Sequence, residues 1–394
     1  MNKEKTYSLV LGGYVNGYSI IKELYDKDIR NIALFDYSKQ CLARFSNKIT
    51  YFKIINKDSK SLIKAILQLK SKCDYIIIYP TDDLQLELLN TIYNEIYSFC
   101  FLPFNQNNIS KTLDKIVQYS FCEKYDIPYP ITQLIEKKDD INNIKDMIFP
   151  VIVKPNKRND ITTDVFRNML LNDINDYKEN KKILSSYLDR KHSFIASELI
   201  PGDDANIYAY VGYRSQAGQI LNEWIGKKLG QYPDNCGVFS SASNEAPEII
   251  RIQGRKLLEK MDLKGICEPE FKYDSRDDKY KLMEVNLRSM MWHRVGNLSG
   301  INIQYSQYLD ATNQTVQLQP QNREEIIHYV YMKHEIHNLF FRKKYWGYFK
   351  HNVFGCNNRA FAIFEVRDIK PFLFDSIILI KTLIGRCLKI LEIR

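Results

Sequence analysis

Hydrophobic and polar positions follow two different periods along the first quarter of the chain. Short apolar runs at 6–13 (TYSLVLGG), 32–38 (IALFDYS) and 73–80 (CDYIIIYP) end in glycine, proline or polar residues, as buried strands do. Between the first two runs, residues 18–27 (YSIIKELYDK) place apolar side chains at helical spacing. Strands that alternate with helices predict a parallel α/β sheet.

The pattern changes after a polar stretch at 105–112, which we interpret as a domain boundary. Apolar runs at 148–155 (IFPVIVKP) and 194–202 (FIASELIPG) predict strands, with charged helical sequence between them. Residues 266–288 predict two further strands joined by a tight turn at 275–278 (SRDD). This mixture of strands and helices indicates an α+β domain.

The length of 394 residues favours two or three domains, because a single core seldom organises so long a chain. We predict an α/β domain at 1–104, an α+β domain at 105–318 (a small lid at about 130–200 and a large part at about 200–318), and a basic segment at 319–394. The 8 cysteines are scattered and form no CxxC pair, which favours reduced thiols in a cytoplasmic protein.

Most of the net charge of +9 lies near the C-terminus. From Lys333 to Arg394 there are 12 Lys and Arg against 5 Asp and Glu, a net charge of +7. Such an excess is typical of proteins that meet nucleic acid, an anionic membrane or an acidic substrate. We expect no nucleic acid, and keep the other two partners open.

Three polar side chains alternate within the apolar run 281–288 (KLMEVNLR). Glu284, Asn286 and Arg288 stand at every second position, so in a strand they point to the same face. Together with Glu270 on the preceding strand, they offer the hard oxygen ligands that Mg²⁺ prefers and a guanidinium suited to phosphate or carboxylate. A half-exposed hairpin that turns polar residues to water is the alternative.

Two further positions suit a nucleotide. Lys154 ends an apolar strand, where its charge needs either an anion or a path to solvent. In the segment 197–204 (SELIPGDD), Glu198 ends a strand and Asp204 follows a tight turn, so this segment could meet an adenine edge and a ribose. An ordinary acidic turn explains the same residues.

The order of these elements resembles the ATP-grasp superfamily over about residues 105–310, and the α/β block before it resembles the pre-grasp domain of that family. The matching pieces are LDK at 113–115, VIVKP, SELIPG, EFKYD and MEVNLR. The resemblance implies ATP with Mg²⁺ or Mn²⁺, and assigns these roles: metal ligands Glu270, Glu284 and Asn286; nucleotide contacts Lys115, Lys154, Glu198, Leu199, Ile200 and Asp204; catalytic cations Arg288 and Lys228.

A narrower resemblance is to carboxylate–amine ligases of the D-aspartate ligase kind and their polysaccharide-associated relatives. It rests on LGGYVNG at 11–17, YPTDD at 79–83 and IGKKLGQYP at 225–233. It implies that a small carboxylate, activated by ATP as an acylphosphate, is joined to an amine acceptor, for example an amino acid to a cell-envelope precursor. The expected substrate-binding residues are Gly12, Gly13, Asp82, Lys227 and His293, although Asp82 also suits a helix N-cap.

A non-catalytic nucleotide sensor or scaffold is the competing interpretation. In its favour, the loop at 156–168 lacks the glycines that many ATP-grasp enzymes carry there, and Lys157, Arg158 and Arg167 would have to replace them. The metal-side residues and Lys154 argue for an enzyme. A zinc site at His328, His334 and His337 is disfavoured because no fourth ligand is evident.

Residues 372–394 predict an amphipathic helix. Asp375, Lys381 and Arg386 fall on its polar arc, and Leu373 and Ile377 belong to a broad apolar side. Two interpretations stay open. The helix packs on the protein or on a second copy in a homodimer, or it lies on the anionic inner face of a membrane.

Overall fold

The computed structural model describes residues 5–156, 165–166, 168–233 and 237–392, with side chains as far as residue 386. The chain forms two compact units. The first comprises Met1–Ile109, Asp203–Glu270 and Asn286–Arg394, and the second comprises Ser110–Gly202 and Phe271–Val285. Residues 319–394 thus belong to the same unit as the N-terminal residues. Among the residues described, no helix has the length and apolar character needed to cross a membrane.

The N-terminal sheet of the first unit has the parallel α/β form predicted from its pattern. Its strand order is β3-β2-β1-β4-β5, and every neighbouring pair is parallel. The strands are β1 (Thr6–Leu11), β2 (Ile32–Asp36), β3 (Tyr51–Ile54), β4 (Tyr75–Tyr79) and β5 (Cys100–Phe101). The helices are α1 (Val15–Asp26), α2 (Ser59–Lys70), α3 (Asp83–Thr91) and α4 (Tyr93–Ile96).

The second unit contains a four-stranded antiparallel sheet in the order β6-β9-β7-β8. Alternate residues of its central strands, such as Val151, Val153 and Phe194, are buried against helix α7, which covers one face. Its elements are α5 (Ile109–Thr112), α6 (Lys115–Lys124), β6 (Thr132–Ile135), β7 (Val151–Pro155), β8 (Met169–Leu171), α7 (Ile174–Asp189) and β9 (Phe194–Glu198).

A seven-stranded sheet follows, in the order β14-β13-β10-β11-β12-β15-β16. The chain passes from the first unit to the second within β13, after Glu270, and returns at the end of β14, before Asn286. Its strands are β10 (Ile207–Arg214), β11 (Ile220–Tyr232), β12 (Val238–Ser243), β13 (Gly265–Asp274), β14 (Lys279–Asn286), β15 (Ile327–Val330) and β16 (Asn358–Phe361). The helices are α8 (Glu248–Lys260), α9 (Arg294–Leu298), α10 (Ile303–Ala311), α11 (Met332–Phe341), α12 (Trp346–Phe354) and α13 (Lys370–Glu392).

One continuous hydrophobic cluster joins the two sheets of the first unit. It extends from Val10 and Leu34 of the N-terminal sheet to Trp224 on β11 and Trp292 after β14. The two indole rings meet edge to face, with centroids 5.2 Å apart. An aromatic pair of this kind contributes roughly 0.5–1.5 kcal/mol beyond the area it buries. It fixes the segment after β14 against β11.

A buried carboxylate ties the C-terminal part of the first unit to its N-terminal part. Asp368, in the short 3-10 helix Val366–Asp368, accepts hydrogen bonds from the Tyr18 hydroxyl (3.0 Å), the Ser46 hydroxyl (2.5 Å) and the Asn47 amide (3.0 Å). Three donors converge on one side chain that is almost fully buried. The position therefore requires an acceptor-only group.

We expect Asp368→Asn to lower the free energy of unfolding by about 2 kcal/mol, because an amide turns donor hydrogens toward donors. Urea unfolding followed by circular dichroism measures the change. Asp74→Asn is the matched control, since that carboxylate is exposed and its ion pair with Lys5 should contribute little. An Asp368→Asn protein as stable as the control would remove this anchor from the account.

Candidate functional site

The turn that follows β1 is built by close backbone packing. Gly12 has φ +89°, and a Cβ there would stand 2.3 Å from Thr81 Oγ1. The Gly13 amide donates to Asp36 Oδ2 at 2.6 Å. At Gly12 only glycine accepts both the conformation and the space, and at Gly13 an added Cβ would stand 2.9 Å from Cys41 Sγ, so packing explains both glycines without a ligand.

Asp82 and its neighbour Asp83 have different roles at the start of α3. Asp82 is the N-cap residue, and its carboxylate accepts from the Leu84 amide at 2.7 Å. Asp83 accepts from Arg288 Nε at 2.5 Å. This contact orients the guanidinium group, which the sequence predicts to bind phosphate or carboxylate. Asp82 thus has the N-cap role that its sequence position also suited. The contact between Asp83 and Arg288 could not be predicted from the sequence.

The first unit holds a buried ion pair on β11 and β13. Lys228 Nζ lies 2.6 Å from Glu270 Oε2, and both side chains are about nine-tenths buried. Lys227, the neighbouring residue, points to the opposite face of β11, where its Nζ lies 3.3 Å from Glu245 Oε2. The two lysines therefore serve different surroundings, and only Lys228 shares a face with Glu270.

Glu268 is a further acidic residue of β13, and the sequence analysis missed it. It is fully buried, its Oε2 lies 2.5 Å from His293 Nε2, and its Oε1 lies 3.5 Å from Asn286 Nδ2. The amide oxygen of Asn286 is turned the other way, 3.4 Å from Arg288. Glu268 therefore sets the orientation of Asn286 and of His293. Its position two residues before Glu270, on the same strand face, was the available signal.

In the second unit, Lys115 at the start of α6 pairs with Glu284 of β14. Lys115 Nζ lies 2.8 Å from Glu284 Oε2, and both side chains are about one-third exposed. Gln118 of α6 holds the same strand, because it accepts from the Val285 amide (3.0 Å) and donates to the Val285 carbonyl (3.3 Å). Helix α6 thus fixes the strand that carries Glu284.

Glu198 lies in a network of buried charges at the end of β9. Its Oε1 accepts from the Ile131 amide (3.1 Å) and from Lys281 Nζ (3.2 Å), and its Oε2 accepts from Arg276 (2.9 Å). Asp274 binds both cations, at 2.7 Å from Lys281 and 2.6 Å from Arg276. The Arg276 hydrogen bond holds the pKa of Asp274 well below its usual range. The network borders an open cleft of about 660 Å³ within the second unit.

The remaining residues predicted to contact the nucleotide lie in different elements of the structure. Lys154 lies in β7, where its backbone pairs with Ile195 of β9, and Leu199 donates its amide to the Pro150 carbonyl at 2.8 Å. Ile200 is buried. Asp204 belongs to the first unit and accepts from the Gln231 amide (3.1 Å) and from Arg342 (3.3 Å). Lys157, Arg158 and Arg167 lie outside the residues that the structure describes.

Comparison with known proteins gives relatives in both sequence and fold. No protein-family model matches the chain. It is 24% identical to D-aspartate ligase of Enterococcus faecium (strain Aus0004) over 328 residues, 77% of this chain and 76% of the ligase. The ADP complex of an N5-carboxyaminoimidazole ribonucleotide synthetase superposes with a TM-score of 0.64 and 14% identity, over 86% of this chain and 84% of that one. L-amino acid ligase from Bacillus licheniformis gives 0.61 and 13%, over 82% and 80%.

The chain has the ATP-grasp fold. The resemblance predicted from the order of its motifs is confirmed, including the similarity to D-aspartate ligase. The ATP-grasp strands β13 and β14 carry Glu270, Glu284 and Asn286, and two of these three face a lysine: Lys228 with Glu270 and Lys115 with Glu284. Each carboxylate thus has a lysine ammonium group as its neighbour.

The three histidines weighed as zinc ligands make separate contacts in this ATP-grasp chain. His328 Nδ1 lies 2.9 Å from the Asn352 carbonyl, His334 Nδ1 lies 2.8 Å from the Phe239 carbonyl, and His337 Nε2 lies 3.2 Å from the Thr382 hydroxyl. Burial lowers the pKa of His334 and of His337 to about 4. Within the described parts of the chain, no group of three or more His, Cys, Asp or Glu residues is arranged to hold a metal ion.

The low pKa of Asp274 makes a prediction for the charge network around Glu198. A carboxylate whose pKa is depressed in the folded state stabilises that state above its unfolded pKa, near about 4, and stops doing so as the pH falls toward the folded value. We expect the stability difference between the wild type and Asp274→Asn to be largest near neutral pH and to shrink in acid.

Urea unfolding at several pH values measures this difference. Asp189→Asn is the control, since that carboxylate is exposed and pairs with Lys138 at the surface. Its difference from the wild type should stay near zero at every pH. A gap for Asp274→Asn that does not change with pH would contradict the assignment.

Proposed function

We propose that the chain is an ATP-dependent carboxylate–amine ligase that forms an amide or peptide bond through an acylphosphate. The observation that carries the proposal is the paired arrangement on β13 and β14, where Glu270 and Glu284 each face a lysine. A purely structural strand would not need two carboxylates and an oriented amide within its apolar sequence. Similarity to D-aspartate ligase over 77% of the chain supports the same reaction class.

The proposed metal ligands are Glu270, Glu284 and Asn286, and their chemistry fits Mg²⁺ or Mn²⁺. All three offer oxygen, and Glu268 holds the amide of Asn286 so that its nitrogen is engaged and its oxygen is turned away. A bound divalent ion would supply positive charge to the phosphates of ATP. Lys228 and Lys115 hold the two carboxylates in place through their ion pairs.

For the nucleotide, the proposal uses Lys154 and Lys115 as phosphate contacts and the segment Glu198–Ile200 for adenine. The Glu198 carboxylate is engaged by the Ile131 amide, Lys281 and Arg276. We therefore assign the adenine contact to backbone groups of this segment rather than to that side chain. Asp204, which accepts from the Gln231 backbone amide and from Arg342, is the proposed ribose contact because the ATP-grasp resemblance assigns that role to its position.

The proposed reaction has two steps, phosphoryl transfer to the carboxylate and attack by the amine on the acylphosphate. An oxygen of the substrate carboxylate attacks the γ-phosphorus of ATP, which releases ADP and leaves an acylphosphate. The neutral amine then attacks the acyl carbon, inorganic phosphate leaves, and the nitrogen loses a proton. Arg288 and Lys228 are the proposed catalytic cations, because negative charge grows on the transferred phosphoryl group and on the acyl oxygen. Asp83 orients Arg288 for this role.

Substrate binding is assigned to the backbone of Gly12 and Gly13, to Asp82, Lys227 and His293. His293 is fixed by Glu268, so its ring can orient a substrate without moving. The proposal further includes a small carboxylate, such as an amino acid, and an amine acceptor on a cell-envelope precursor. It also includes a cytoplasmic location at the inner membrane face, and a homodimer as the alternative use of the same C-terminal surface.

The direct experiment supplies Mg²⁺-ATP, a panel of amino acids of both configurations, and hydroxylamine, which converts an acylphosphate to a stable hydroxamate. We expect ADP and hydroxamate in equal amounts with at least one amino acid. Glu284→Gln and Asn286→Ala should each lower the rate by about a hundredfold or more, because the first removes a negative charge from the proposed metal site and the second removes an oxygen ligand.

Asp189→Asn, on an exposed surface of the second unit, is the control and should react at the wild-type rate. Unchanged thermal unfolding of Glu284→Gln and Asn286→Ala separates loss of chemistry from loss of fold. ATP binding without ADP release for any amino acid would favour the non-catalytic nucleotide-binding protein instead. A Glu284→Gln protein with normal turnover would remove Glu284 from the site.

A further inference from the structure

Helix α13 packs Phe372 and Phe374 on the core of the first unit but leaves one apolar stripe exposed. Leu373, Ile377, Ile380 and Ile384 are 52, 52, 56 and 56% exposed. Their spacing of four, three and four residues places them in one stripe along the helix. A stripe of four large aliphatic side chains on a single helix face differs from the isolated apolar residues that every protein surface carries.

The opposite side of α13 is fixed to the first unit. Asp375 is buried and accepts from the Tyr331 hydroxyl and Lys333 Nζ, each at 3.0 Å. Thr382 Oγ1 lies 3.2 Å from His337 Nε2, and the Phe374 ring packs at a tilt against Phe45, with the ring centroids 4.5 Å apart. The helix is therefore anchored by part of its polar arc, and the apolar stripe is the side left for another surface.

The charges around α13 are separated by sign. Between Lys333 and Arg386 there are four acidic residues, and none of them is exposed. Each is engaged inside the first unit: Glu335 with Ser240 and Ser241, Glu365 with Lys48, Asp368 with Tyr18 and Ser46, and Asp375 with Tyr331 and Lys333.

The cations of the same segment lie at the surface. Eight of its ten Lys and Arg residues are exposed: Lys343, Lys344, Lys350, Arg359, Arg367, Lys370, Lys381 and Arg386. Lys370 and Lys381 belong to α13 itself and border the apolar stripe along one of its edges on the helical wheel. The exposed part of this segment is therefore more basic than its composition indicates, because its exposed charged residues are all Lys or Arg and none of its four acidic residues is exposed.

Exposed aromatic residues accompany these cations. Phe340, Trp346 and Phe354, at the ends of α11 and α12, are all more than half exposed, and Lys343, Lys344 and Lys350 stand in the same stretch of chain. Helix α11 packs beside α13 through His337 and Thr382. Tryptophan with lysine is typical of surfaces that meet the boundary between water and lipid.

We propose that α13 docks on an anionic phospholipid surface, with the stripe Leu373–Ile377–Ile380–Ile384 inserted at the headgroup boundary and the exposed lysines and arginines against lipid phosphates. Charge complementarity selects this occupant. A second copy on a two-fold axis would set the same patch against itself, which would bring cations against cations with no exposed acid of this segment to balance them.

The inference does not rest on the ligase reaction. Docking would hold the protein where a membrane-attached acceptor is presented, and each Lys or Arg near an anionic leaflet strengthens binding by severalfold. The same surface would act whether or not the site on β13 and β14 turns over ATP. Flotation and ADP release therefore test different statements.

Flotation of the full chain with lipid vesicles tests the proposal. We expect the wild type to float with vesicles of phosphatidylglycerol and phosphatidylcholine at low salt, much less at high salt, and not with phosphatidylcholine alone. The double variant Ile377→Gln/Ile380→Gln should bind the anionic vesicles at least about tenfold more weakly than the wild type, because polar groups replace the inserted side chains. Lys370→Gln/Lys381→Gln should weaken binding and reduce its salt dependence.

The matched control is Leu67→Gln/Ile252→Gln, which changes two equally exposed aliphatic residues on α2 and α8. It should float like the wild type, and all variants should keep the thermal unfolding midpoint and any ADP release in solution. A wild type that does not float, or an Ile377→Gln/Ile380→Gln protein that floats normally, would overturn the proposal. Sedimentation provides a further test. If the wild type is a dimer and Ile377→Gln/Ile380→Gln is a monomer, the stripe is an interface between two copies, and the proposal is overturned.

Discussion

The arrangement of the candidate site depends on how carboxylates can be kept charged inside a protein. Burying an ionised carboxylate costs several kcal/mol unless a cation and further hydrogen bonds accompany it. Lys228 meets this requirement for Glu270 at 2.6 Å. A strand can then present a carboxylate within a largely apolar sheet, with the lysine already placed beside it. Removal of either partner alone would leave an uncompensated buried charge.

The same constraint recurs within each of the two units. Lys115 accompanies Glu284 in the second unit, and Asp83 accompanies Arg288 in the first. Each pair is oriented by elements that have their own structural role: α6 holds β14 through Gln118, and Asp82 starts the helix that carries Asp83. Chemistry that brings phosphate and carboxylate together needs cations that are in place beforehand, because reorganisation during the reaction would cost free energy.

Much of this could be predicted from the sequence, because strand periodicity reports which residues share a face. Alternation alone predicted one strand that carries both Glu284 and Asn286, as β14 does, and the order of motifs indicated the fold that the solved relatives confirm. The partners Glu268, Asp83 and Arg276 could not be assigned in this way. Their roles depend on which distant segment arrives opposite them, and a local pattern carries no such information.

The C-terminal helix shows the same limit. Its periodicity separates an apolar side from a polar one, but it does not say which side meets the protein. Asp375 faces inward because Tyr331 and Lys333 supply its hydrogen bonds there, and Ile377 and Ile380 are left outside. Only the tertiary structure shows that Asp375 is buried while Ile377 and Ile380 are exposed.

The most direct measurement of the central claim follows oxygen from the substrate to phosphate. An amino acid labelled with a heavy oxygen isotope in its carboxylate is incubated with Mg²⁺-ATP and an amine acceptor, and the inorganic phosphate is analysed by mass. An acylphosphate transfers one carboxylate oxygen to phosphate in each turnover, so labelled phosphate should equal the ADP formed. ADP formed with unlabelled phosphate would contradict the account, because water rather than the carboxylate would then have attacked ATP.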